Sequence, residues 1–272
     1  MITDAPPRVA FDSDVVVLGR LDGGAQGDEV TLERRRDGSR WERIATKPVN
    51  DNLKVRFLRS SFRRTSEVRL RYVDPMTEAV TRSGIRRIRV VPRLTVSLSS
   101  RHVMHGREVR IAGRLLPIAG ARAVKIQQRV DGDWRLVDTA RVRSGRYAKR
   151  FTARHLGFRR LRVVFSGDAT NTSARKGITM RVYRRAAATW YGPGLYGNRT
   201  ACGQRLTSDT VGVAHRTLPC GTKVAVLYKG RTIVVPVIDR GPYSHADWDL
   251  TERAARRLRF SGTDTIGVDP AS

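Results

Sequence analysis

The sequence has too little of several features to belong to some common protein classes. It contains two cysteines, too few for a disulfide-rich scaffold. No apolar run approaches the roughly 20 residues that are needed to span a bilayer. Aromatic residues make up only 7% of the 272 residues, but apolar residues make up 40%, which excludes global disorder. The length predicts two or three domains, each with its own core.

Acidic residues are scarce relative to basic ones. The chain has 53 lysines and arginines against 25 aspartates and glutamates, a formal net charge of +28, and only seven of the 53 are lysines. An excess of this size favours an anionic partner, such as nucleic acid, an anionic wall polymer or a membrane surface. A GC-rich genome would also produce an arginine-rich composition, so both interpretations stay open.

The first two-thirds of the chain contains an internal repeat. Gly19-Arg20-Leu21 recurs as Gly113-Arg114-Leu115, and Asp37-Gly38 recurs as Asp131-Gly132, both 94 positions later. A constant period near 94 is too long for a solenoid, and it indicates two tandem domains.

Each repeat has the residue pattern of a β-sandwich. Short runs alternate apolar and polar residues, and the Asp-Gly pairs predict hairpin turns because glycine accepts the positive φ that such turns need. A tryptophan follows each turn, Trp41 and Trp134, and we expect both to be core anchors between sheets rather than ligand platforms. About seven short strands in about 90 residues predict immunoglobulin-like sandwiches over 1–92 and 93–185.

The positive charge is concentrated in the second sandwich. Residues 93–185 hold 23 basic and 5 acidic residues, a net charge of +18, against +6 before them and +4 after them. The candidates for a basic patch are Arg141, Arg143, Arg146, Lys149, Arg150, Arg159, Arg160 and Arg162. No nucleic-acid-binding motif accompanies them, so we expect no specific binding of nucleic acid. A solvated polar face and a surface that binds anionic wall polymers stay as alternatives.

The last third of the chain, 186–272, is rich in glycine and aromatic residues at its start. Its pattern predicts a small β-barrel. Two apolar strands are predicted at 222–227 and 232–238 around a glycine-containing turn. A helix is predicted to begin at Asp249, with Glu252 at the spacing of a capping box. A small β-barrel with one short helix accommodates these elements.

Four segments of this region resemble a known family. They read, in order, WYGPGLYGNRTACG, AHRTLPCGT, VIDRGPY and a helix that starts DLT. Together they strongly resemble the rare lipoprotein A family, whose domain is a double-psi β-barrel that expansins and barwin-like proteins share. The resemblance covers about 190–268 and none of the repeats. It implies an enzyme, a lytic transglycosylase that acts on peptidoglycan glycan strands; the alternative is a non-catalytic, expansin-like wall binder. We expect no cofactor and no metal.

The resemblance also implies roles for individual residues. Asp239 ends an apolar strand and would be the general acid, which protonates the glycosidic oxygen while the sugar's 6-hydroxyl attacks the anomeric carbon. His215 would orient Asp239 or shuttle a proton. A turn cap for Asp239 and a structural role for His215 are the alternatives. Asp249 is most simply the helix N-cap and is a weaker candidate for the substrate groove. The other substrate-binding candidates are Gln204, Trp190, Tyr191 and Tyr196.

Gln204 and the two cysteines depart from the family pattern. The family often has an acidic residue eleven positions before His215, and the glutamine here cannot donate a proton as a carboxylic acid does. From the residues alone, Cys202 and Cys220 fit either a disulfide or two buried thiols. The resemblance places the two cysteines in two segments that flank the candidate active site, which implies a disulfide between them. A disulfide predicts an extracytoplasmic protein, secreted or wall-associated, although the start MITDAPPRV shows no signal-peptide pattern.

Overall fold

The computed structural model describes residues 1–36 and 38–270, which form an all-β protein with one short helix. The all-β class predicted from the sequence is confirmed. Asp37, which belongs to the first predicted Asp-Gly turn, lies outside the described residues, as do residues 271 and 272. Within the described part of the chain, no helix has the length and apolar character needed to cross a bilayer.

Nine strands form two sheets in the first part of the chain. They are β1 (Ile2–Asp4), β2 (Arg8–Ala10), β3 (Ser13–Arg20), β4 (Glu29–Arg35), β5 (Glu42–Pro48), β6 (Lys54–Phe62), β7 (Ser66–Val73), β8 (Val80–Arg82) and β9 (Arg86–Val91). One sheet has the order β1-β3-β6 and the other the order β2-β9-β7-β4-β5, with β8 paired to β7. Alternate residues of the strands are buried, as expected for sheets with one face on a core. That core is built around Leu32, Phe57 and Ile88.

Eight further strands form a second sandwich with its own core. They are β10 (Arg93–Leu94), β11 (Ser97–Leu98), β12 (His102–Met104), β13 (Glu108–Leu116), β14 (Arg122–Val130), β15 (Asp133–Val142), β16 (Arg146–Thr152) and β17 (Gly157–Phe165). In the smaller sheet, β13 pairs with β10, β11 and β16. The predicted turn at Asp131-Gly132 joins β14 to β15, and both of its residues have positive φ. The core contains Ile111, Leu115 and Ile126.

The two tryptophans predicted as core anchors lie outside these cores, so that prediction is wrong. Trp41 is only partly buried, and the guanidinium carbons of Arg35 and Arg69 lie 4.8 and 4.1 Å from its ring centroid. Arg162 covers the partly buried Trp134 in the same way, at 4.1 Å. A cation over the ring face stabilises an outward-facing indole, while the inward-facing positions of the strands fill the cores.

One long strand, β18 (Ala174–Tyr191), continues from the second sandwich into the last part of the chain. The remaining elements are β19 (Val213–Ala214), β20 (Lys223–Tyr228), β21 (Arg231–Asp239), β22 (Trp248–Thr251), α1 (Glu252–Leu258) and β23 (Asp264–Pro270). The first half of β18 pairs with β17, and its second half pairs with β22 and β23. The predicted boundary at 186 falls inside this strand, and the division of the chain into three domains stays a prediction.

The helix begins three residues later than the sequence predicts. Asp249 lies in strand β22, and Thr251 is the N-cap, whose hydroxyl accepts the N–H of Ala254. The prediction that Asp249 caps the helix is therefore wrong, because pairing with β18 and β19 holds it in extended backbone. Ala254, Ala255 and Leu258 are buried, as the predicted apolar stripe requires.

Candidate active site

Four strand positions lie in one row across the barrel. Asp239 on β21 is opposite Ala214 on β19, and Ala214 is in turn opposite Asp249 on β22. Thr189 on β18 is the next partner of Asp249. Because neighbouring strands lie about 4.8 Å apart, the backbones of the two aspartates are separated by about 10 Å. The side chain between them is the methyl group of Ala214, so the row forms a trough with a carboxylate on each side.

The trough belongs to an open surface groove of about 300 Å³. The groove is lined by Thr189, Tyr191, Leu195, Ala214, Asp239, Arg240, Pro242, Tyr243, Ser244 and Asp249. Tyr243 is 87% exposed, so its ring is available to pack against a sugar. An open groove with a carboxylate on each side has the form needed to hold an extended chain across its middle.

The backbone of neighbouring residues holds the carboxylate of Asp239. Its Oδ1 accepts the N–H groups of Ala201 and Arg240, both at 2.8 Å. Hydrogen bonds from backbone donors to a carboxylate are charge-assisted and stabilise its ionised form. The guanidinium group of Arg240 donates instead to the carbonyls of His215 and Leu218. Two backbone N–H groups therefore fix the position of the Asp239 carboxyl group in the groove.

Asp249 has a different environment. Its Oδ1 accepts one hydrogen bond, from the hydroxyl of Thr189 at 2.8 Å. Burial raises the pKa of Asp249 to about 6; the charge of Asp239 acts in the same direction, and the hydrogen bond from Thr189 acts against it. Asp249 therefore keeps its proton in mildly acidic solution, in an environment that differs from that of Asp239, which accepts two backbone N–H groups. Two carboxyl groups whose environments separate them in this way can serve as acid and base.

The hydroxyl of Tyr191 is buried beside the two aspartates. It lies close enough to the Asp239 side chain to interact with it. Burial raises its pKa, and the charges of Asp239 and Asp249 add to that effect. A substrate hydroxyl that binds in the groove would therefore lie beside Tyr191 as well as the two aspartates.

His215 lies behind the row rather than in the groove lining. Its Nδ1 accepts the backbone N–H groups of Thr217 and Leu218, at 3.2 and 3.1 Å, and its ring packs on Trp248 with centroids 4.3 Å apart. Burial lowers the pKa of His215. Its link to Asp239 runs through the backbone, where the N–H of His215 donates to the Asp239 carbonyl at 3.2 Å. These contacts fit a neutral imidazole that shapes the loop.

Three of the predicted substrate residues lie outside the groove lining. Trp190 is 37% exposed and faces away from the groove side of β18. Tyr196 donates its hydroxyl to the carboxylate of Glu252. The side chain of Gln204 is exposed to solvent. Of the aromatic candidates, only Tyr191 lines the groove.

The predicted disulfide between Cys202 and Cys220 is present. The N–H of Cys202 donates to the carbonyl of Ile238 at 3.3 Å, next to the N–H of Ala201 that binds Asp239. The bridge therefore fixes the segment that holds the Asp239 carboxylate in place.

Sequence reasoning did not identify Ala214, Thr189 and Tyr243. Each lies in or directly beside a segment that carries the family resemblance, but an alanine or a threonine has no chemical signal until the strand register is known. Within residues 1–36 and 38–270, no three His, Cys, Asp or Glu side chains come together as a metal-ligand set.

Comparison with known proteins identifies this region. Residues 184–269 match the family described as lytic transglycolase. The last third of the chain is an RlpA-like double-psi β-barrel. The family predicted from the sequence is thereby confirmed for this part of the chain.

Several curated proteins are similar in sequence to the RlpA-like barrel. The chain is 41% identical over 96 residues to a probable endolytic peptidoglycan transglycosylase RlpA of Synechocystis sp., which covers 34% of this chain and 30% of the relative. It is 38% identical over 99 residues to the endolytic peptidoglycan transglycosylase RlpA of Pseudomonas aeruginosa, covering 33% and 29%. A probable RlpA of Aquifex aeolicus is 43% identical over 79 residues, covering 28% and 35%. The chain thus spans about a third of the length of the curated relatives it matches.

Proposed function

We propose that the RlpA-like barrel cleaves the glycan strands of peptidoglycan as a lytic transglycosylase. The observation that supports this most is the pair of aspartates on either side of the Ala214 trough. The names of the relatives describe endolytic peptidoglycan transglycosylases, and the groove is open along the surface, so an uninterrupted strand can lie across it.

The two environments favour a division of work between the aspartates. We propose Asp249 as the proton donor and Asp239 as the proton acceptor, in place of the acid role that the sequence predicts for Asp239. Asp249 is partly buried and accepts one hydrogen bond, from a hydroxyl group, whereas the Asp239 carboxylate accepts two from backbone N–H groups. A donor must be protonated and an acceptor ionised at the same pH.

The reaction balances with these two groups alone. Asp249 gives its proton to the glycosidic oxygen, and the bond between that oxygen and the anomeric carbon breaks. The 6-hydroxyl oxygen of the same sugar bonds to the anomeric carbon, and the proton of that hydroxyl passes to Asp239. No water is added, so the product has an anhydro end. The two carboxyl groups return to their starting states by exchanging a proton with solvent in the open groove.

Release of anhydro products from purified sacculi tests the proposal. We expect Asp249→Asn and Asp239→Asn each to lower the rate by at least about 100-fold, the lower limit of a typical acid–base contribution. Asp264→Asn, on β23 and outside the groove lining, is the matched control and should keep the parent's rate. Full activity in Asp249→Asn would refute its role as the donor.

The alternative function is a non-catalytic, expansin-like wall binder. The glutamine at position 204, where the family often has an acidic residue, favours it. A parent protein that sediments with sacculi but releases no anhydro product would support the binder and refute the enzyme.

We infer that the protein acts outside the cytoplasm, at the cell wall. The disulfide supports this, because such bonds persist in oxidising compartments. We also propose that the basic second sandwich holds the barrel close to anionic wall polymers. The ion pair between Arg181 and Asp269, at 2.8 Å, and the packing of Met104 on Tyr183 and Leu227 join the two parts beside the shared strand β18. Sedimentation with sacculi that weakens as salt rises is the expected result.

A further inference from the structure

Four arginines lie on the outer face of the smaller sheet in the second sandwich. In the register of β13 and β16, Arg110 is directly opposite Arg150, and Arg114 is directly opposite Arg146. All four are exposed, while Val109, Ile111 and Leu115, which alternate with them on β13, are buried in the core. Since alternate residues of a strand share a face, the four guanidinium groups leave the sheet on the same side. We call this surface the arginine face.

The space between the two arginine pairs is flat and uncharged. Ala112 and Ala148 are opposite each other in the middle of the face. Thr95, Ser97 and Ser99 lie exposed along one edge, and the hydroxyl of Ser97 donates to the carbonyl of Ala112 at 3.2 Å. These small side chains leave the guanidinium groups open to a ligand that lies along the strands.

Few acidic groups neutralise the face. Arg150 and Glu108 lie 3.6 Å apart, but both side chains are more than half exposed, so the pair contributes little. Within the described residues, Arg110, Arg114 and Arg146 make no ion pair. Like charges directly opposite each other on a sheet destabilise the fold. Two such arginine pairs side by side therefore do not stabilise the fold, and their presence needs another explanation.

The first sandwich offers an internal comparison. On β3 and β6, the pair Arg20 and Lys54 stands where the second sandwich has Arg114 and Arg146, so one cationic pair occurs in both repeats. Val16 is opposite Leu58 where the second sandwich has the Arg110 and Arg150 pair. A general arginine bias would not by itself place a second pair in register with the first, so the doubling is a specific feature of the second sandwich.

The basic patch predicted from the sequence is only partly gathered on this face. Of its eight candidates, Arg146 and Arg150 belong to the arginine face. Lys149 points to the other side and pairs with Asp138 at 3.0 Å, and Arg162 covers Trp134. Arg110 and Arg114 of β13 complete the face, and only the pairing of β13 with β16 shows that they belong to it.

We propose that the arginine face binds a linear, flexible polymer with repeated phosphate groups, the chemistry of a phosphate-rich wall polymer. Its two arginine pairs are about 13 Å apart along the strands, and the strands are about 5 Å apart, so a flexible chain can bring successive phosphates to both pairs. None of the face residues is aromatic, so bases of a single-stranded nucleic acid have no stacking platform. The choice of a wall polymer rests on the proposed function of the barrel.

Binding of the full chain to linear poly(glycerol phosphate), measured across a series of salt concentrations, tests the proposal. Each phosphate contact contributes roughly 0.7 to the slope of log affinity against log salt for a single-stranded polyanion. We therefore expect Arg110→Gln/Arg150→Gln to reduce that slope by about 1.4. The matched control is Lys125→Gln/Arg129→Gln, which removes the same charge from two exposed positions of β14 on the larger sheet and should leave the slope nearly unchanged.

Three results would overturn the proposal. These are equal losses in the two double variants, no binding by the parent, and tighter binding of single- or double-stranded DNA than of the polymer at the same salt concentration. Cleavage of soluble glycan strands that carry no phosphate polymer should be the same in the parent and in Arg110→Gln/Arg150→Gln. This second measurement separates the two proposals, because a failure of cleavage in both proteins would refute the enzyme and leave polymer binding to be judged on its own result.

Discussion

Replacement of Asp249 by asparagine should stabilise the barrel above pH 6 while it removes the proposed proton donor. The pKa of Asp249 is raised from 3.8 to about 6 in the folded protein, chiefly by burial. Between these two pH values the folded state binds more protons at this site than the unfolded state does, so the free energy of unfolding falls as pH rises. Asparagine does not titrate, keeps the size of the side chain and can still accept the hydroxyl of Thr189.

The size of the effect follows from the shift in pKa. A change of about two units corresponds to about 3 kcal/mol. Because the side chain is only partly buried, solvent screening reduces the expected gain to about 1–2 kcal/mol at pH 7. At pH 4 and below, where the carboxyl group is largely protonated in the folded state, the gain should approach zero.

Urea unfolding of the parent and of Asp249→Asn, at pH 4 and pH 7, checks this. The matched control is Asp264→Asn in the same barrel. The hydroxyl of Tyr228 donates to Asp264 at 2.8 Å and holds the pKa of Asp264 below the usual range. Relative to the parent, Asp264→Asn should therefore become less stable as pH rises, which is opposite to the change expected for Asp249→Asn. A difference between Asp249→Asn and the parent that does not change with pH would refute the reasoning.

Three further predictions address the trough, the disulfide and the junction of the sandwiches. Ala214→Val should fill the trough and lower kcat/KM for anhydro-product release at least about tenfold, while the pH optimum stays the same; an unchanged rate would contradict it. Replacing both Cys202 and Cys220 should lower the free energy of unfolding in urea by about 3 kcal/mol. A reductant should lower the free energy of unfolding of the parent by the same amount. The side chain of Asn171, 2% exposed, donates to the carbonyls of Arg63 and Val90. Asn171→Ala should therefore increase hydrogen exchange at the junction of the two sandwiches, whereas unchanged exchange there would contradict the contact's role.

The sequence predicts the all-β class, the disulfide and the hairpin turns at Asp131-Gly132 and Lys229-Gly230 correctly. Glycine accepts the positive φ that a tight turn needs, and Gly132 and Gly230 adopt it at these two turns. Trp41 and Trp134 illustrate where such reasoning fails. Their large apolar rings suggest burial, but cross-strand arginines cover them on the outer side of each sandwich, and that pairing depends on register.

The helix start shows the same limit. Asp249 and Glu252 have the spacing of a capping box, which is a local signal. Strand β22 continues through Thr251 because β18 and β19 pair with it from either side, and the cap therefore moves to Thr251. Long-range hydrogen bonds outweigh a local capping preference here.

By itself, the sequence determined the repeat, the place of the excess charge and the family of the last third, because all three follow from residue identity and spacing along the chain. Only the tertiary structure decided which carboxyl groups face each other across Ala214, and which arginines form the face on β13 and β16. Strand register brings together residues that are distant in sequence, and the resulting burial and proximity of charge set the proton affinity of Asp249 and the exposure of the arginines.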